Sequence, residues 1–91
     1  MGGLRLREDR KNRVTVNIYG KSYRIVGPEQ ASQVRMAASM VDDKMREIKK
    51  QNPYLDTKQL AVLTSVNFAN EYIKVEEERD QLKEKNEKEE E

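Results

Sequence analysis

The side chains able to do proton-transfer, nucleophilic or ligand chemistry are few in this chain, and their spacing does not bring them together. The 91 residues include no histidine and no cysteine, which removes the commonest general base, the thiol nucleophile and the usual metal ligands. No Gly-rich loop of the kind that cradles phosphates is present. Between the N-terminal arm, which carries Glu8-Asp9, and the C-terminal tail the only adjacent acids are Asp42-Asp43 and the run Glu76 to Glu78. Consecutive positions on a helix point to different faces, so neither run converges on one atom, and each reads as a solvated helix face. The sequence therefore predicts a protein that is not an enzyme, with no catalytic, cofactor-binding or metal-binding residues.

If the chemistry is one of contact, the elements that present surfaces decide what the protein does. From Arg13 the chain alternates strictly, with Val14, Val16 and Ile18 on one side and Arg13, Thr15, Asn17 and Tyr19 on the other. That period of two predicts a half-buried strand over about 13–19. Gly20-Lys21 supplies a two-residue turn with glycine first, the type II′ pattern, and a second strand returns over about 22–26. In that register Ile18 faces Tyr23 and Val16 faces Ile25, so that Val16, Ile18, Tyr23 and Ile25 share a face. A lone hairpin is marginal in water and needs a helix to cover its apolar side.

The next segment provides one. Gly27-Pro28-Glu29 reads as N-cap, first-turn proline and an acid suited to the helix dipole, which predicts a helix over about 28–51. Ala31, Val34, Ala38, Val41, Met45 and Ile48 recur at spacings of three and four, and Met36, Ala37 and Met40 widen the stripe. Lys49 and Lys50 suit the negative end of the dipole, and Asn52-Pro53 ends the helix.

A second helix starts at 57 behind a complete entry signal. Asp56 is its N-cap, Gln59 the reciprocal partner, and Leu55 with Leu60 the hydrophobic staple. Leu60 to Val75 is densely apolar on more than one helical face, so this half must be covered on several sides. Ala61, Phe68, Val75 and Leu82 fall seven apart, with Ser65, Tyr72, Arg79 and Asn86 interleaved, a heptad seam that loses its apolar residues after Val75. At 1.5 Å per residue a helix of about 35 residues reaches roughly 50 Å, more than a domain of this size can cover. A partner chain must supply the rest.

Composition sets the same limits. Hydrophobic residues are 35% and charged residues 38%, so only part of the chain can bury a core, and without disulfides or metal the remaining staple is oligomerisation. The formal net charge of +1 hides a gradient. Residues 1–24 hold seven Arg/Lys against two acids, and residues 76–91 hold four against nine. Residues 1–12 read as a disordered arm. No run approaches the ~20 apolar residues of a membrane span, and the start lacks the apolar core of a signal peptide, so the sequence predicts a cytosolic protein.

The order of local motifs points further. The hairpin V-x-V-x-I-x-G-x-x-Y-x-I (Val14, Val16, Ile18, Gly20, Tyr23 and Ile25), then V-D-D-K-M-R-E-I, N-P-Y-L-D and L-A-V-L-T-S-V-N, resemble the ZapA family of bacterial cell-division proteins from Thr15 to about Leu82. The short acidic tail is similar to the Gram-positive branch of that family. The resemblance implies an α+β fold: an N-terminal β-hairpin and amphipathic helix forming a small head, followed by a long C-terminal helix that self-associates as a coiled coil or helix bundle. It implies a dimerising head over 13–75 and a charged coiled-coil extension over 76–91, partly frayed. Heads would pair into homodimers and long helices into antiparallel homotetramers, through Val34, Val41, Met45, Ala61, Phe68, Tyr72, Val75 and Leu82.

The resemblance also implies a function. Proteins of that family bind the tubulin-like GTPase FtsZ, cross-link its protofilaments and stabilise the division ring, in the cytoplasm at mid-cell, with no cofactor and no membrane partner. FtsZ is acidic, and the family contacts it through charged residues of the head. Carried over by position, the candidates are Lys21, Lys44, Arg46, Lys49, Lys50 and Lys58. Where relatives carry other charges near the inter-helix loop, this chain has Pro53 and Lys58. Two other readings stand beside this one. A small nucleic-acid-associated dimer would use the basic arm and bind DNA with a steep salt dependence. A generic coiled-coil adaptor would use its heads only to dimerise.

Overall fold

The computed structural model describes residues 11–90, with side chains through Asn86. Most of the expected N-terminal arm therefore lies outside the described residues. The elements run β1 (Asn12–Ile18), β2 (Lys21–Gly27), α1 (Ala31–Gln51) and α2 (Thr57–Glu90), which is the α+β order the sequence implies. Helix α2 is continuous through Glu90. Within one chain these elements form two compact units that divide between Tyr54 and Leu55.

In the first unit the alternation of β1 does what period two requires. Val14 and Val16 are buried while Arg13, Thr15 and Asn17 are exposed. Val14, Val16 and Ala38 of α1 form the core, with Ile18, Ile25, Ala31 and Val34 packed against it. Tyr23 shares the apolar face of the hairpin and is nonetheless exposed.

The hairpin register differs from expectation by two residues. Ile18 pairs with Lys21, Val16 with Tyr23 and Val14 with Ile25, so the turn is Tyr19-Gly20 and not Gly20-Lys21. Both turn residues have positive φ, 50° at Tyr19 and 79° at Gly20, as a type I′ turn demands. A slip of two leaves every side chain on its own face, and alternation alone cannot detect it. In the turn so formed the Tyr19 N–H donates to the Asp42 carboxylate at 2.6 Å.

Helix α1 begins at Ala31, three residues later than expected, with Gln30 as an N-cap that makes no side-chain bond. Gly27 is not a cap; it is the last residue of β2, paired with Asn12. The Asn12 side chain donates to the Glu29 carbonyl at 2.6 Å, which ties the approach to the helix back to the base of the hairpin. Asn12 thereby belongs to β1 and not to the arm. At the other end the Asn52 N–H caps the Ile48 carbonyl at 3.0 Å, and the Lys49 ammonium donates to the Pro53 carbonyl at 2.7 Å.

The second unit opens with the expected capping box. The Gln59 N–H donates to Asp56 Oδ1 at 2.8 Å, and the Asp56 N–H donates to Gln59 Oε1 at 3.1 Å. Two of the donors that every helix start leaves unpaired are satisfied reciprocally. Along α2, among the residues whose side chains are described, only Leu60 and Thr64 are buried.

Candidate partner interface

Two surfaces of the chain are unusual, one polar and one apolar. The polar one is the hairpin tip. Asp42, one face of α1 away from its exposed neighbour Asp43, is only half-exposed. Its Oδ1 accepts the Tyr19 N–H and its Oδ2 accepts Arg46 Nε at 2.9 Å. The Arg46 guanidinium also lies over the Tyr19 ring, 5.3 Å from its centroid, within the ~6 Å range of a cation–π contact. The hydrogen bond from Arg46 is the main cause that holds the Asp42 carboxyl below its usual range, and the Tyr19 N–H adds to it. Asp42 is thus not the solvated-face residue the sequence predicts. Beside this cluster an open groove of about 590 Å³ is lined by Thr15, Asn17, Gly20, Arg35, Ser39 and Arg46, among others.

The six candidate cations separate by what already engages them. Lys44 pairs with Glu47 at 3.3 Å and Arg46 with Asp42, while Lys49 is bonded to Pro53. Lys21 opens β2 and does not sit in the turn. Lys21 and Lys50 are exposed, and neither ammonium is drawn to an acid of the described residues within ion-pair distance. Lys58 belongs to the second unit, where it borders a concavity of about 340 Å³ with Leu55, Gln59, Val62 and Leu63.

The apolar surface is α2 itself. Of the expected contact residues, Tyr72, Val75 and Leu82 are exposed and Phe68 is half-buried. Ala61 is exposed, whereas Val34 and Val41 are half-buried and Met45 keeps only 3% of its surface for any partner. A second stripe escaped the heptad reading. Val62, Val66 and Ile73 are spaced four and seven apart and are each between 51% and 56% exposed. They lie about 100° around the helix from the Ala61 seam, since each step along the helix turns by that angle. Their signal in the sequence is the same i, i+4 recurrence, read one residue out of step. Met36 and Met40 of α1 add exposed apolar surface in the first unit.

These features define a small α+β protein with an uncovered apolar helix surface, in which no group of acids among the described residues could hold a metal ion and no helix among them is long and apolar enough to cross a membrane. Comparison with known proteins agrees. Residues 14–91 match the family described as "Cell division protein ZapA". A protein of that description from Geobacillus sp. (strain WCH70) is 56% identical over 78 residues, covering 86% of this chain and 90% of the relative. Another from Bacillus thuringiensis (strain Al Hakam) is 55% identical over 75 residues, covering 82% and 84%. A solved structure described as a ZapA mutant dimer from Geobacillus stearothermophilus is similar with a TM-score of 0.68 and 49% identity, covering 82% of this chain and 87% of that one. The chain belongs to the ZapA family of cell-division proteins, which is not a family of enzymes.

Proposed function

We propose that the chain is a non-catalytic regulator of cell division that binds FtsZ, cross-links its protofilaments and stabilises the division ring in the cytoplasm at mid-cell. The observation that carries this reading is the uncovered apolar surface of α2 in a member of the ZapA family. Large exposed apolar patches on a soluble chain mark association surfaces. A cross-linker needs at least two binding heads in one particle, and symmetric self-association supplies them without lengthening the chain.

The assembly follows from the same logic. In this reading residues 13–75 form a head that dimerises, supported by a solved relative described as a mutant dimer, and the long helices bring dimers into a tetramer. Residues 76–91 act as a charged spacer. No cofactor takes part. Among the candidate cations Lys21, Lys50 and Lys58 are the contact residues for acidic filaments, because Lys44, Arg46 and Lys49 already hold partners within the chain. Complementary charge at the rim of an interface acts mainly on encounter rate and salt dependence.

Co-sedimentation of purified FtsZ filaments with and without the protein tests the reading. Bundled filaments that carry the protein into the pellet are expected, with Lys50→Glu weakening capture more than Lys44→Glu. Filaments that neither bundle nor retain the protein would overturn it.

A further inference from the structure

The hairpin tip is built more tightly than a solvent-facing turn requires. A type I′ turn wants glycine, asparagine or aspartate at its first position, and this chain places Tyr19 there at φ 50°. For an L-residue with a large side chain the left-handed region is sterically unfavourable, because Cβ crowds the following carbonyl oxygen. Three contacts hold it there. Asp42 Oδ1 accepts the Tyr19 N–H, Asp42 Oδ2 accepts Arg46 Nε, and the Arg46 guanidinium covers the Tyr19 ring. Asp42 and Arg46 are four apart and so share one face of α1. The contacts close a circuit from turn backbone to carboxylate to guanidinium and back to the ring of the same turn residue.

We propose that Asp42 is the positioning residue of the hairpin tip, clamping Tyr19 in the left-handed turn and fixing Arg46 across it so that the tip and the adjoining Lys21 meet the filament in one conformation. The functional half of this inference rests on the filament-binding reading above; the clamp itself does not. Arg46 is then a structural cation and not a contact cation. A tip held in one conformer loses less entropy on binding than a floppy one, which raises affinity without a new contact.

The test uses the full chain with Asp42→Ala, Asp42→Asn and the double variant Tyr19→Asn/Asp42→Ala, each checked for unchanged mass by sedimentation velocity. Amide exchange at Tyr19 and FtsZ co-sedimentation are read in parallel. Asp42→Ala should free the Tyr19 amide to exchange and lower filament capture. Asp42→Asn keeps an acceptor for that N–H and should retain its protection. The double variant should recover filament capture, because Asn-Gly adopts the type I′ turn unaided. A Tyr19 amide that exchanges alike in wild type and Asp42→Ala would overturn the clamp. Full capture by Asp42→Ala, or no recovery in the double variant, would overturn the positioning role. If the wild-type protein does not sediment with filaments at all, the filament reading fails and amide exchange alone decides the clamp.

Discussion

Both oxygens of Asp42 are committed, one to the backbone of the hairpin turn and one to Arg46 of its own helix. That commitment has a pH signature. The Arg46 hydrogen bond first, and the Tyr19 N–H second, lower its carboxyl from the ordinary 3.8, against a smaller opposing effect of burial. Arg46 in turn is held more firmly protonated by Asp42. A lowered folded value means that the carboxylate form stabilises the fold. Its contribution is complete above pH 3.8 and is lost as the pH falls through the lowered folded value. The groups facing it are Tyr19 from the turn and Arg46 from its own helix, with Asp43 adjacent and Arg35, two turns earlier on the same helix, lining the same groove. The Tyr19 amide resonance, followed by NMR through an acid titration, is expected to move with a midpoint below 3.8 and to stay flat in Asp42→Asn. A midpoint at or above 3.8 would show that the carboxylate is not held by these partners.

Among the elements, those whose signals are local and redundant were legible in the sequence, and those decided across the fold were not. The start of α2 is the clearest case. Asp56 and Gln59 announce the capping box by type and spacing, and both bonds form. The strands were equally plain, since Val14 and Val16 alternate with polar residues. The register was not, because the pairing adopted keeps every face unchanged, so alternation cannot choose it, and the carboxylate that bonds its turn lies 23 residues away. The start of α1 lies later than its local signal for a similar reason: Gly27 and Pro28 carry a strong cap pattern, yet Gly27 stays paired with Asn12, whose side chain also holds Glu29. Which of the candidate cations already hold partners within the chain is the least legible, because that depends on neighbours, such as Glu47 beside Lys44, that charge type alone does not weigh. At this scale the cap can be tested directly. Asp56→Ala is expected to lower stability by about 1 kcal/mol, and Asp56→Ser to be nearly neutral, in urea denaturation at one fixed protein concentration. Equal stability of all three would show that α2 does not depend on its cap.

For the whole molecule the deciding fact is that α2 presents two apolar stripes whose residues, Phe68 apart, stay exposed in the single chain. Ala61, Tyr72, Val75 and Leu82 line the first, and Val62, Val66 and Ile73 the second. Two stripes about 100° apart can serve two neighbours at once, which is what an assembly with both a dimer and a tetramer contact requires. The stripes are not equal. The second ends at Ile73 within the dense apolar half, whereas the first runs on to a lone Leu82 among charges. The contact that relies on the later positions is therefore the weaker, and opposite charge supplements it. In the antiparallel assembly proposed above, the −5 balance of residues 76–91 would attract the +5 balance of residues 1–24 on another chain, over a Debye length of about 10 Å at 0.1 M salt. The expected behaviour is a tetramer that falls to dimer on dilution and on raising the salt. Leu82→Lys should shift that equilibrium towards dimer, while Ile73→Lys should reduce the mass already at high concentration. Analytical ultracentrifugation across a concentration series reads both, and a single mass at every concentration and salt would rule out the graded assembly.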